Sequence, residues 1–293
     1  MALATQTTAT TIAQKLPPGL RLLARTGDWW RHTVLIIVSL LLFFPFIMTV
    51  IISFKDMNQF GVSPYGLTFP LHWENYAAAW TVVGRYIFNS IVVSGVSVVG
   101  VVVVAALSAY VFARFQFPGK EFLFYLVLSL LMIPGILTLV PTFVLVKNLQ
   151  ILNTWWALIL PYIAGGQVFA IFILRNFYAG MPEELFEAAR IDGAGEVTVF
   201  VRIAMPLSQS ILGVVAVMHI LSTWNDFIWP LVVLQSDKLY TLSLGLYAFR
   251  NLYYTVWGDL MAGYVIGSIP LIILFAFTSR LFVEGLAAGG LKL

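Results

Sequence analysis

Phe88-Asn-Ser-Ile-Val-Val-Ser-Gly-Val-Ser-Val-Val-Gly-Val-Val-Val-Val-Ala-Ala-Leu-Ser-Ala-Tyr-Val-Phe112 contains no charged side chain. As a helix it would reach about 37 Å at 1.5 Å per residue, enough to cross roughly 30 Å of hydrocarbon. A membrane barrel would show short segments of alternating polarity instead of a continuous apolar run. Five further stretches share this character. Together they predict spans at about Thr33–Phe54, Phe88–Phe112, Phe122–Leu145, Trp155–Leu174, Ile211–Leu234 and Leu260–Leu281. The expected fold class is all-α, a polytopic membrane protein with six transmembrane helices. Pro134 and Pro141 lie in the third span and are expected to kink it as one rod, with neighbouring groups re-satisfying its backbone.

Composition agrees. Of 293 residues, 60% are hydrophobic and 10% are charged, with a mean hydropathy of +0.94. A soluble domain carries about 25% charged residues to keep its surface wet, so most of this surface must face something other than water. The absence of cysteine excludes disulfides, thiolate metal sites and thiol nucleophiles. Basic patches interleaved with aromatics are absent, which argues against a nucleic-acid partner.

Charge placement sets the expected orientation. With the N-terminus inside, the inner segments hold Lys15, Arg21, Arg25, Arg31, Arg114, Lys120, Arg175, Arg190, Arg202, Arg280 and Lys292. The outer segments hold Lys55, Arg85, Lys147, Lys238 and Arg250. The excess of inner Lys and Arg predicts that both termini are cytoplasmic. The first 30 residues lack the short apolar core and cleavage site of a secretory signal, so the first span reads as an uncleaved anchor. The domain reading is a cytoplasmic segment over 1–32, a six-helix membrane domain over 33–281 that includes the loop over 175–210, and a cytoplasmic tail over 282–293.

Two connections are long. One is an outer loop from Lys55 to about Ile87, rich in aromatics, Pro and Gly. The other is an inner loop over 175–210 that carries Glu183, Glu184, Glu187, Asp192 and Glu196. Loops of this length generally have a function. Within the second, Met181-Pro-Glu-Glu-Leu-Phe-Glu-Ala-Ala-Arg-Ile-Asp-Gly193 predicts a short helix. Pro182 suits its first position, Glu183 and Glu184 favour the positive end of its dipole, and Gly193 suits a left-handed stop. At 100° per residue, Leu185, Ala188, Ala189 and Asp192 gather on one side, with Glu183, Glu187 and Arg190 opposite. A second helix is expected from about Glu196 to Ile203, ending before Pro206. The pair forms an elbow that either lies on the lipid interface or admits another backbone against its Ala-rich flank. Glu187 either pairs with Arg190 or reaches a partner's basic group.

Glu187-Ala188-Ala189, three residues, Gly193, nine residues and Ile203-Ala204-Met205-Pro206 resemble the EAA motif of ABC importer permeases. Met205 stands where that family usually has Leu. Glu74-Asn75-Tyr76, the stretch from Ser108 to Pro118 (SAYVFARFQFP), Trp224-Asn-Asp-Phe-Ile-Trp-Pro230 and the tail from Gly285 also resemble the carbohydrate branch of that family. Within that branch, the chain resembles the smaller permease subunit of maltose-type transporters. The tail departs from the family pattern at Ala287, Gly290, Leu291 and Leu293. The resemblance implies that Glu187, Ala188, Ala189, Gly193, Ile203 and Pro206 couple the chain to an ATPase. It also implies a second permease subunit, two ATPase subunits and an extracytoplasmic solute-binding protein as partners, serving sugar import across the inner membrane.

Asn225 and Asp226 fall inside the fifth predicted span. An ionisable group at that depth costs a few kcal/mol, roughly 3, so it should face a protein interior or a cavity. Three readings stand. The pair flanks the substrate path or a moving hinge; Asp226 ties down backbone N–H groups or a neighbouring helix; or Asp226 belongs to a proton relay, which is poor without a membrane His or Lys. Aromatics at span ends, such as Trp155, Trp229 and Trp257, read as interfacial anchors. The last outer loop contains Arg250-Asn251-Leu252-Tyr253-Tyr254. In the resembled permeases this loop meets the binding protein, which makes Arg250, Asn251, Tyr253 and Tyr254 candidate contacts.

A phosphate-cradling loop needs Gly-x4-Gly-Lys-Ser/Thr, and Gly119-Lys120 is followed by Glu121 outside any such frame. The chain is expected to be a transport subunit with no ATPase site, cofactor or metal of its own, ATP and Mg²⁺ being bound by its partners. The rival readings are a secondary transporter using Asp226 and an integral-membrane enzyme. The first should show inverted repeats, and none is evident.

Overall fold

The computed structural model describes residues 18–252 and 256–290, with side chains over 29–250 and 256–279. The chain is helical with no strand among the described residues. Four helices are long and apolar enough to cross a membrane, and there are six such crossings if each of two sharply bent pairs is one span. The first helix, α1 (Pro18–Ser53), contacts α12 and otherwise leaves a row of large apolar side chains, such as Leu41, Phe43 and Phe46, exposed. A short helix, α2 (Met57–Val62), follows.

Helix α3 (Glu74–Arg114) has 41 residues, or about 60 Å of length. It begins well before Phe88, so much of the expected outer loop is helix. Arg85 and the polar residues near it interrupt the apolar run without lowering helix propensity, which is why hydropathy alone places the start too late. Helix α6 (Trp156–Ala179) packs along α3 more extensively than any other element. Lipid tails give apolar faces little reason to associate, so close approach of small residues must hold such helices together. Ala105, Ala106 and Ala109 are buried on this side of the bundle. A β-carbon on Gly100 would strike Ile163, and one on Gly166 would strike Val101 and His219.

The third expected span is not a kinked rod. Helix α4 (Lys120–Ser129) ends in a 3-10 turn at Leu130–Met132, and α5 (Gly135–Asn148) departs at 102°. The break falls at Ile133-Pro134: Pro134 drives the residue before it out of the helical region, and Ile133 is extended at φ −85°, ψ 115°. Pro141 stays inside α5.

The loop over 175–210 forms α7 (Glu183–Ile191) and α8 (Glu196–Leu207), and α9 (Gln209–Asn225) leaves α8 at a 75° bend. Contrary to expectation, α8 does not stop before Pro206. It widens into a π turn over Phe200–Ala204, where the Met205 N–H reaches back five residues to the Phe200 carbonyl. That wider turn makes room for a proline ring that would crowd the carbonyl four residues earlier.

The fifth expected span is also interrupted. Helix α9 ends at Asn225, Asp226 is extended at ψ 129°, and α10 (Ile228–Val233) restarts two residues later. Pro230 offers no N–H to the Asp226 carbonyl and its ring would clash there, so the helix opens at that residue. The chain continues through α11 (Leu242–Leu252) to α12 (Trp257–Gly290).

Three apolar clusters stack along the bundle, and α3 contributes to each: Tyr110 at the elbow end, Val93 in the middle and Tyr86 toward the other end. At that far end Lys55 is buried and donates to the Ser63 and Gly66 carbonyls. Asn75 donates to the Ser53 and Lys55 carbonyls at 2.9 Å each. A β-carbon on Gly258 would collide with the Lys55 carbonyl and the Asn75 amide. Overpacking of this kind costs about 1–3 kcal/mol, and here the obstacle is backbone. Gly258→Ala is expected to lower the apparent Tm of the detergent-solubilised protein. Gly61→Ala, where nothing lies within 4 Å of the new carbon, should leave the Tm unchanged or raise it slightly, since alanine favours an exposed helix position over glycine. Thermal-shift measurement of the pair checks this.

Candidate functional site

The elbow is built from a charged helix with one deeply buried aromatic. Pro182 is the N-cap residue rather than the first helical one, and Glu183 and Glu184 occupy the first turn. At the other end Gly193 adopts φ +79°, as expected. The Gly193 N–H bonds the Arg190 carbonyl and the Ala194 N–H bonds the Ala189 carbonyl, a Schellman stop that satisfies carbonyls the helix would otherwise leave open.

Phe186 anchors this helix. Its ring is fully buried, 6.4 Å from the Tyr110 ring, with the Arg114 guanidinium 3.8 Å from the ring centroid. Arg114 ion-pairs with Glu183 and donates to the Met181 carbonyl at 2.8 Å. Arg190 then links Glu183 at 3.4 Å to Glu196 at 3.0 Å, and Tyr110 Oη donates to Glu196 at 3.2 Å. The two carboxylates beside Arg190 hold its guanidinium still further above its ordinary value, Glu196 contributing most. A desolvated cation over an aromatic ring contributes up to about 2 kcal/mol, and charge-assisted hydrogen bonds are about twice as strong as neutral ones. One α3 side chain thus meets the start, the buried ring and the first carboxylate of α7.

One expectation for the elbow is corrected, and one of two alternatives is removed. Ala189 does not belong to an open flank with Ala188: it is half-buried against the same cluster as Phe186, because residues three apart share a face. Arg190 pairs with Glu183 and Glu196 and leaves Glu187 exposed without an ion pair. The outward surface is formed by Leu185, Glu187, Ala188, Asp192 and Gly193, with Ile191 85% and Val197 77% exposed. Ile203 packs inward and Pro206 is exposed. The residues of the motif therefore divide between gripping the chain's own core and presenting a surface. Phe186, Tyr110 and Arg114 escape motif reading. A lone Phe among charges was the available signal, since such a ring must be buried somewhere.

The Asn225–Asp226 pair separates. Asp226 Oδ2 accepts from Tyr162 Oη at 2.8 Å, and Oδ1 accepts a long 3.4 Å bond from the Trp229 N–H, so Asp226 bridges a helix break to α6. It borders a cavity of about 730 Å³ between α5, α6 and α10, with Thr138 and Thr142 on the opposite wall. Tyr162 also borders a second cavity of about 400 Å³, lined by His219, Ser222 and Thr223. His219 sits inside α9 and already within the fifth predicted span, Ile211–Leu234, so the relay reading was wrongly set aside for want of a membrane histidine. Asn225 turns away: its amide donates to the Leu221 carbonyl at 2.8 Å and it borders a third cavity of about 410 Å³ with Ser243, Tyr247 and Arg250. Tyr253 and Tyr254, the Asn251 side chain and the tail side chains from Gly285 onward lie outside the described residues.

Comparison with known proteins converges on one family. Residues 102–287 match the model of the binding-protein-dependent transport system inner membrane component. The chain is 36% identical over 250 residues to a probable ABC transporter permease, YurM, of Bacillus subtilis (strain 168), covering 85% of this chain and 83% of that one. It is 33% identical to the diacetylchitobiose uptake permease NgcG of Streptomyces coelicolor, covering 88% and 87%. It is 32% identical to the sn-glycerol-3-phosphate permease UgpE of Yersinia pestis, covering 88% and 95%. A crystal structure of a bacterial ABC transporter that imports the acidic polysaccharide alginate contains a chain of the same fold. Its TM-score is 0.78 at 18% identity, over 90% of this chain and 98% of that one. With its bundle of apolar helices and its EAA elbow, this chain belongs to the binding-protein-dependent inner membrane components, the multi-pass permease subunits of ABC importers.

Proposed function

We propose that the chain forms one half of a heterodimeric permease importing a sugar or sugar derivative, with both termini and the elbow in the cytoplasm. Two ATPase subunits bind and hydrolyse Mg-ATP, and an external binding protein delivers the substrate. The observation that carries this reading is the elbow. It is locked from behind by Phe186 and Arg114, while Leu185, Ala188, Ile191 and Val197 face outward from a charged surface. Exposed aliphatic side chains in a mostly polar helix fit a protein cleft, and the rigid support behind them would let a push there move the spans. The excess of Lys and Arg on the elbow side supports the orientation. The permeases NgcG and UgpE, whose names give diacetylchitobiose and sn-glycerol-3-phosphate, support a hydroxylated substrate. Asp226 with Tyr162 is the proposed polar point on the substrate path, and Asn225 with Arg250 faces the cavity beneath the outer helix α11.

Ala188→Leu is expected to release the ATPase or uncouple its hydrolysis from uptake, since overpacking costs about 1–3 kcal/mol, roughly 5- to 150-fold in an equilibrium. Ala189→Leu should act differently, destabilising the chain itself, because that methyl already meets the core. Gly193→Val should misplace the elbow's end through its left-handed φ, at about 1–2 kcal/mol. Pull-down of the ATPase, sugar uptake and thermal stability for the three variants check the assignment. Full coupling with leucine at 188 would mean that the elbow merely rests on lipid.

Asp226→Asn and Tyr162→Phe should each lower uptake by about tenfold while leaving ATPase association unchanged, because each weakens a bond to a charged group worth about 1.5–3 kcal/mol. Unchanged uptake at normal expression would reduce Asp226 to a helix-break cap.

A further inference from the structure

Among the described residues, four helices are long enough to cross a membrane unbroken, and three of them carry an internal proline: Pro45 in α1, Pro161 in α6 and Pro270 in α12. Helix α3 carries none. The two bent pairs cannot transmit a push along one axis, since each turns through 75° or more. A proline removes a rung of the hydrogen-bond ladder and is a common site of bending, so α3 is the unbroken span whose ladder has no rung missing to proline.

Both ends of α3 are fastened to the two sides of the molecule. At the elbow end, Arg114 holds Glu183, the Met181 carbonyl and the Phe186 ring, and Tyr110 holds Glu196. Toward the other end, the buried Asn89 amide donates to the Lys238 and Tyr240 carbonyls at 2.9 Å each. Ser90 Oγ accepts the Leu242 N–H at 2.8 Å, and Gly245 closes directly on the Tyr86 ring. The segment so held, 238–242, leads into α11. From Asn89 to Arg114 is 25 residues, or about 37 Å along the axis, a full membrane crossing.

We propose that α3 is the rod joining the elbow to the outer segment 237–242, with Arg114 and Asn89 as the positioning residues at its two fastenings. Resting on the ATPase-coupling reading of the elbow, this adds which part of the chain carries the motion and where it is delivered. A displacement of the elbow on one side reaches the surface offered to the binding protein on the other through one helix. Free-energy coupling between two sites is reciprocal, so whatever binds the outer segment biases the elbow by the same factor. The stretch from Ser108 to Pro118 thereby acquires a role: Tyr110 and Arg114 are its grip on the elbow.

The test uses the assembled transporter in proteoliposomes. This chain has no cysteine, so Asp237→Cys, exposed on the outer segment, carries a single spin label on it. Its spectrum is recorded before and after addition of Mg-ATP. The label should change environment in the otherwise unaltered chain. Arg114→Ala should cut the shifted population at least about tenfold, as expected when charge-assisted bonds are lost, while the ATPase still co-purifies. Glu183→Gln, which removes the ion pair but keeps the ring contact, should give a smaller loss in the same direction and guards against misfolding of the first variant. Asn89→Leu should reduce the response about tenfold from the far end, leaving a remainder that can still be measured. Sites about 37 Å apart with no shared partner ordinarily add, so Arg114→Ala combined with Asn89→Leu being no worse than the poorer single variant supports one rod. A full label response in Glu183→Gln and Arg114→Ala, or additive losses in the double variant, overturns it. If the ATPase fails to co-purify even with the unaltered chain, it is the transport reading beneath that falls. If it does co-purify and the label stays still on Mg-ATP, only the rod falls.

Discussion

Hydrocarbon supplies no hydrogen-bond partners, so each backbone N–H and carbonyl that crosses it must be satisfied by protein. The layout of this chain follows from how that demand is met at its prolines. Within α6 and α12 a proline is absorbed and the helix continues. At Pro134 and Pro230 the ladder opens, and the two breaks have different repairs. The first turns the chain through 102° between α4 and α5. The second leaves Asp226 extended, with its carboxylate receiving the Trp229 N–H and the Tyr162 hydroxyl. A charged residue at depth becomes tolerable because the helix break beside it provides donors.

The same absence of water changes what holds the helices together. With no hydrophobic drive between apolar faces in lipid, association depends on close contact and on polar ties. Helix α3 uses both: small residues along its seam with α6, and Asn75, Asn89, Ser90 and Ser94 donating or accepting across to other elements. Thr223 Oγ1 donates to Ser94 Oγ at 2.9 Å, joining α9 to the same helix. The bundle is organised around one helix because that helix carries small and short polar residues in alternation with valines along a long, proline-free stretch.

Outside the lipid the elbow obeys ordinary aqueous rules. Its caps, its acidic first turn and its left-handed glycine stop are local features, and the helix they define is only nine residues long. Isolated helices of that length are marginal in water, so tertiary contacts must sustain it. Phe186 and the Arg114 guanidinium provide them. The elbow is therefore as rigid as its attachment to α3, and its outward aliphatic side chains are held in place by residues on its inner face.

Hydropathy was sufficient to determine the fold class and where the apolar helices lie, while local cap residues marked the elbow. Cap chemistry placed Glu183 and Gly193 correctly, because these signals act within one or two turns of the chain. The EAA spacing was enough to indicate the family. The tertiary structure decided the rest. It decided that Ala189 faces inward while Ala188 faces outward, since the choice depends on where Phe186 finds a pocket. It paired Asp226 with Tyr162, 64 positions away, and separated it from its neighbour Asn225. It also brought Arg114 to Glu183 across 69 positions. A linear reading sees periodicity and caps because their energies are local. Which side chains meet across the bundle depends on the angles at which whole helices pack, and those are set by every contact along the seam at once.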